Sequence, residues 1–333
     1  MLGLLDGEPM LNLIKNLLLI RLIEKGLAAN LRHATPDNEV IVKTSRYLRL
    51  SMVGLVIGLG ASLIFELVRV DGCLLGSISA YYYTPAHSFF VGTLIAIGVC
   101  LIALRGNTAL EDVLLNFAGT FAPFVALVPT DRAPKNCAAT LDVTNRNLNI
   151  ANNVGGLLVV AGVALAVLAG IGIKKQLDPK KSKHPRPSDY VGYGVTLAFF
   201  VAALILFWQG RTWFLEFAHP ISAVTMFTII AINILVNGYN LYESRKHPAP
   251  GQKKLKEVHH FNRYTIIGTL MVVAALVIFF ILRPLWDQWV FGLEASEIGL
   301  FAFFWVLQTN ELWNEGLRPE VVLPPGPAPA PEV

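Results

Sequence analysis

LRLSMVGLVIGLGASLIFELV, residues 48–68, holds one cation near its start, Arg49, and one carboxylate near its end, Glu66. Between them stand only apolar and small residues and two serines. About 20 such residues make a helix as long as the bilayer hydrocarbon is thick. The pattern recurs at 87–104, 110–128, 154–173, 190–208, 213–236, 264–282 and 296–312, the last run being short. The fold class that follows is all-α, a polytopic transmembrane bundle of about eight spans. Gly54, Gly58 and Gly60 give the first span a GxxxG-type face suited to close helix contact, and Glu66 and Arg69, three apart, are placed to pair.

Composition agrees with this reading. The 333 residues are 54% hydrophobic and 15% charged, with a mean hydropathy of +0.55, whereas soluble domains carry about 25% charged residues. No polar stretch is long enough for a separate soluble catalytic domain, so any chemistry must be built from helix ends and loops. Residues 1–47 read as a cytoplasmic N-terminal region. It has an interfacial helix over 10–31, interrupted too often by charge to span, and a polar linker over 32–47 containing Pro36. The transmembrane domain covers 48–313, and 314–333 is a Pro-rich cytoplasmic tail. No cleavable signal pattern is present at the N-terminus.

Charge sets the orientation. Most of the 27 Lys and Arg fall in segments on one side, and only Arg69, Arg132, Lys135, Arg146, Arg211 and Arg283 fall on the other. The positive-inside rule puts both termini in the cytoplasm, as a multi-pass protein of a bacterial inner membrane. Basic loops at 174–186 and 245–263 are explained by that rule and by anionic lipid, and no nucleic acid is needed. The partners expected are membrane lipids and a membrane-protein subunit or second copy of the chain. A weak internal echo, Ala86-His87 with Thr93 against Ala218-His219 with Thr225, permits a four-plus-four parallel repeat.

Polar residues gather toward the outer side. SISAYYYTPAHSFFVG, residues 77–92, leads into the second span, and Ser77, Tyr82 and Tyr83 with Glu66, Glu216 and His219 outline an outward polar pocket. Three consecutive tyrosines cannot face one way, so at least one turns inward and needs a hydroxyl partner. Glu216 and His219, three residues apart, form a pair at the water boundary. Ser79, His87, Asp131 and His219 have the chemistry of a nucleophile, its base and an orienting acid, which would make a lipid hydrolase, although no G-x-S-x-G elbow is present. His87, His219 and Glu216 are zinc-type ligands without a zinc spacing, and no metal or other cofactor is called for. The plainer reading of Ser77 and Ser79 is a capped turn into the second span, with Pro85 at its first turn. Cys73 and Cys137 lie in outer loops and form a disulfide if that side is oxidising; Cys100 packs as a small apolar residue. Asn107, Thr108, Glu111 and Asp112 read as N-terminal capping of the third span, and Glu294 and Glu297 as anions at the N-terminus of the eighth. Asn116, Asn233 and Gln308 are expected interhelical hydrogen-bond partners. The functions in view are a binder of lipid, amphiphile or partner subunit, an intramembrane lipid hydrolase, and a small-solute transporter.

Ile78-Ser79, Pro85 and Phe89-Phe90, followed by an apolar span, resemble a pattern in a group of bacterial multi-pass proteins and, more distantly, in the DUF998 and Frag1/DRAM-like membrane families. Ser77 stands where that pattern has a Pro-x pair. The stretch EASEIGLFAFFWVLQTNELW, with Glu294, Trp305 and Glu311, resembles the same group. The resemblance implies a helical membrane protein and assigns no chemistry.

Overall fold

The computed structural model describes residues 36–130, 146–177, 187–246 and 260–314. Among them all regular structure is helical. The α-helices are α1 (Pro36–Arg69), α2 (His87–Ala103), α3 (Ala109–Leu127), α4 (Arg146–Leu177), α5 (Pro187–Trp208), α6 (Arg211–Lys246), α7 (Arg263–Val277) and α8 (Trp289–Glu311). Each apolar run of the sequence falls on one of them. A 3-10 turn, Ser79–Tyr83, precedes α2, and α7 ends in a π turn, Ile278–Leu282.

Helices α1, α3, α4, α6, α7 with its π turn, and α8 are long and apolar enough to cross a membrane, while α2 and α5 are shorter apolar helices. Large apolar side chains such as Phe65, Val68 and Phe280 are 70% or more exposed, which suits a lipid surround and would be costly in water. The chain is an integral membrane protein.

Packing closes six helices into a ring in the order α1, α2, α3, α6, α7, α8 and back to α1. Its interior is filled, with Met52, Leu101, Ala118, Ile234, Met271, Phe304 and Trp305 in one apolar cluster. Helices α4 and α5 lie outside, held against α3 and α6 through Phe124, Ile150, Val154, Phe207 and Phe214. In a four-plus-four pairing α1 and α8 would correspond to α5 and α4. The first two are members of the ring and the second two are outriders.

Several local expectations change. Residues 36–47, read as linker, belong to α1. Proline fits the first helical position, where no N–H is needed and its φ is already helical. Within the GxxxG run only Gly58 is in close contact, under the ring of Phe89; nothing lies near Gly54 or Gly60. The tightest backbone approach is instead between α2 and α3, where a Cβ on Gly98 or on Gly119 would stand 2.8 or 2.6 Å from the other residue's carbonyl oxygen. Gly238 and Gly268 serve the α6–α7 contact in the same way, against Thr265 and Leu235. Asn116 is exposed, so it joins no helix pair. The interfacial helix at 10–31 and the tail after Asn314 lie outside the described residues.

Candidate functional site

The 3-10 turn forms a lid over one end of the ring, anchored by α8. The Glu294 carboxylate accepts from the Ile78 N–H at 2.5 Å, the Ser79 N–H at 3.1 Å and the Ser79 hydroxyl at 2.8 Å. Two further contacts fix the same edge: Phe291 N–H donates to the Gly76 carbonyl, and the Tyr81 and Phe291 rings stand 6.4 Å apart. Glu294 was read as an anion at a helix N-terminus. Helix α8 begins at Trp289, so the carboxylate sits in the second turn and neutralises the N–H groups of a different element.

Within the lid the chain closes on itself. Ala80 N–H donates to Ser77 Oγ, Thr84 Oγ1 donates to the Tyr81 carbonyl and accepts from Ala86 N–H, and His87 Nδ1 donates to the Tyr82 carbonyl at 2.7 Å. That last bond fixes a proton on Nδ1 and turns Nε2 away from the lid backbone. Tyr82 and His87 meet edge to face with centroids 4.2 Å apart, and both are half-buried. Tyr81 and Tyr83 are buried, so two of the three tyrosines turn inward. Burial pushes the Tyr81 and Tyr82 phenols up from their ordinary range. Glu66, 4% exposed, takes both guanidinium contacts from Arg69, at 2.6 and 2.8 Å.

Beside the lid, three side chains cap the end of α3. Val125 would find its helical donor four residues on, but that residue is Pro129 and carries no N–H. His219 supplies the proton, its Nδ1 donating to the carbonyls of Val128 at 2.6 Å and Val125 at 3.1 Å. Arg146 donates to the Pro129 carbonyl and Tyr83 to that of Thr130. His219 is therefore a buried cap, and Glu216, on the same helix, is exposed. The pair inferred from their spacing is not formed, because the carbonyls of α3 take the imidazole first.

The opposite end holds a polar network between α3, α6 and α8. Glu111, 1% exposed, accepts from the Asn107 N–H at 3.0 Å, the Asn107 amide at 2.9 Å and the Asn240 amide at 2.5 Å. Asn237 accepts from Gln308 at 2.7 Å and donates to the Asn233 carbonyl. Thr108 caps α3 as the sequence implied, accepting from Glu111 N–H. The longer reach of Glu111 was missed; the signal for it was the spacing of Asn233, Asn237 and Asn240, which puts three amides on one face of α6.

Among the described residues no group of three His, Cys, Asp or Glu is placed to hold a metal ion. Ser79 is bonded to Glu294 and to no imidazole. Asp131 and Cys137 lie outside the described residues; Cys73 is disulfide-bonded, and Cys100 is a free buried thiol. Comparison with protein-family models, with curated proteins and with solved structures returns no match to this chain.

Proposed function

We propose that the protein is a non-catalytic, multi-pass component of a bacterial cytoplasmic membrane that holds a lipid or other amphiphile at its lid, with a partner subunit as the alternative occupant. Both termini are assigned to the cytoplasm because the basic loops lie on their side. The observation that carries the reading is that each candidate catalytic group among the described residues already serves the backbone or the lid: Ser79 binds Glu294, His87 Nδ1 binds the Tyr82 carbonyl, and His219 caps α3. A serine nucleophile needs a base free to take its proton, and Glu294 is occupied by two backbone donors as well.

The lid instead offers a surface of mixed character. Tyr82 and the Nε2 side of His87 form a half-buried polar rim, and Phe89, two residues on, is exposed beside the apolar outer face of α1, its ring seated on Gly58. A headgroup at the rim and a chain along that face would satisfy both, as amphipathic aromatic residues do at membrane boundaries. The resemblance to DUF998 and Frag1/DRAM-like proteins points to the same architecture without adding a reaction.

Native mass spectrometry of the protein in lipid nanodiscs tests this. The wild type should retain a lipid that Tyr82→Ala with His87→Ala releases while the melting temperature holds within a few degrees. Equal retention by both proteins would reject the lid as the binding surface. Loss of lipid hydrolysis on Ser79→Ala, with folding intact, would install the hydrolase in its place.

A further inference from the structure

Glu297 lies three residues beyond Glu294, so the two carboxylates neighbour each other on α8. Their surroundings differ sharply. Glu294 is given three donors by the lid. Glu297 is 5% exposed, and its Oε1 is sealed from solvent without a hydrogen-bond partner. The layer around it is apolar: Ile298, the next residue, packs into the cluster formed by Leu59 and Leu63 of α1 and Phe90 and Leu94 of α2. Thr93, beside Leu94, is 1% exposed, and its hydroxyl is likewise without a partner. A glutamate at this depth in a membrane protein is either paired or neutral, because an unpaired ionised carboxylate in an apolar layer is strongly disfavoured.

We propose that Glu297 is a proton-binding site inside the membrane, one helical turn beneath the lid. The inference goes beyond the amphiphile reading and does not depend on it. The other ionisable groups on elements packed against α8 are already engaged or distant. On α1, Glu66 is paired with Arg69, and Arg49 lies some 17 residues, or about 25 Å of helix, away from Glu66. On α7, Arg263 pairs with Glu311 at the far end, and Arg283 follows the π turn, stacked over Phe279 and Trp289. On α6, His219 holds the α3 carbonyls, and from the lid Tyr81 packs on Phe291. Glu294, the nearest carboxylate on α8 itself, is taken up by the three lid donors. Release of the lid would open a path from Glu297 to the aqueous side, and intramembrane carboxylates that gain and lose a proton in this way serve proton-coupled transport.

A hydrophobic carbodiimide, which adds to protonated carboxyls in apolar surroundings, tests the assignment on the full-length wild type in nanodiscs. Peptide mass spectrometry should find the adduct on Glu297 and not on Glu294, falling roughly tenfold per pH unit on the alkaline side of its midpoint. Glu297→Gln should abolish the adduct while keeping the melting temperature of the wild type. Labelling of Glu294 in preference, or no adduct on Glu297 at any pH, overturns the proposal. Protection by sodium at constant pH also overturns it, by showing that the occupant is a metal cation. The wild-type measurement decides the matter even if the variant fails to fold.

Discussion

Glu111 and Glu297 are both buried carboxylates on ring helices, at opposite ends of the bundle, and their settings are opposite too. Glu111 sits in a network that presents donors to both of its oxygens, from Asn107 and from Asn240. Glu297 sits in an apolar layer with one oxygen facing nothing. The first arrangement ties α3 to α6 and keeps the helix ends in register. The second contributes no such tie and is tolerable only in a neutral form. A buried acid is therefore glue where its lone pairs are filled and a chemical group where they are not.

Removing the two acids separates these roles most widely. Glu111→Leu leaves the half-buried Asn240 amide and Asn107 N–H without their acceptor. At about 1–3 kcal/mol for a fully buried stranded group, and toward the low end for these half-buried ones, the expected loss is roughly 2–3 kcal/mol. Glu297→Leu removes a group that bonds to nothing through Oε1, and its stability should stay level or rise. Thermal unfolding of the two variants in one detergent checks the contrast, and equal losses would break it.

The lid clamp comes next. Glu294→Gln keeps the shape of the side chain, but an amide presents only one oxygen to the three donors of the lid. A buried donor left without its acceptor costs about 1–3 kcal/mol. Hydrogen exchange at Ile78 and Ser79 should accelerate by roughly tenfold to a hundredfold while the core of α3 and α6 stays protected. Unchanged exchange at those two amides would mean that Phe291 and the tyrosines hold the lid without Glu294.

These contrasts also mark what the sequence could show. The eight α-helices among the described residues were legible because spanning a membrane requires only summed apolarity over a fixed length, and that is a local property. Helix ends were less so: residues 36–47 are polar yet helical, since polarity at the ends of a spanning helix carries no penalty once the segment leaves the hydrocarbon. Partners across the fold were not legible. Glu294 reaches Ser79 over 215 positions of sequence, and no spacing rule encodes that. His219 looked like an acid–base group because its role depends on Pro129, the residue that deprives Val125 of a donor, and only the packing of α6 on α3 brings them together. Ser79, His87 and His219 do lie at the lid end, each bonded to the backbone or to Glu294.

His219 offers an intermediate effect. In His219→Ala the carbonyls of Val125 and Val128 lose their donor at the end of α3, and the expected destabilisation is about 1–2 kcal/mol. His219→Gln, whose amide can still donate, should recover part of it. A reading in which His219 acts as a base predicts loss of activity in the glutamine variant at full stability, so the pair of substitutions separates a cap from a catalyst.

The smallest effect is the most discriminating between neighbours. Tyr83 and Tyr82 are adjacent and chemically identical, but Tyr83 is buried and donates to the Thr130 carbonyl at 2.6 Å, while Tyr82 is half-buried and meets His87 through its ring. Tyr83→Phe deletes one hydrogen bond in a membrane-protein interior, worth about 0.6 kcal/mol on average and under about 2 at most. Tyr82→Phe keeps the ring contact and should leave stability unchanged. The alkaline limb supplies an independent check. Burial raises the Tyr82 phenol above its ordinary value, so the folded state holds that proton longer than the unfolded chain does. The stability this contributes is complete below the unfolded value, near pH 10, and is lost as pH rises through the folded one. Tyr82→Phe should therefore flatten the decline of the melting temperature above about pH 10 without altering it at neutrality. An identical alkaline decline in the variant would place the titrating phenol at Tyr81 instead.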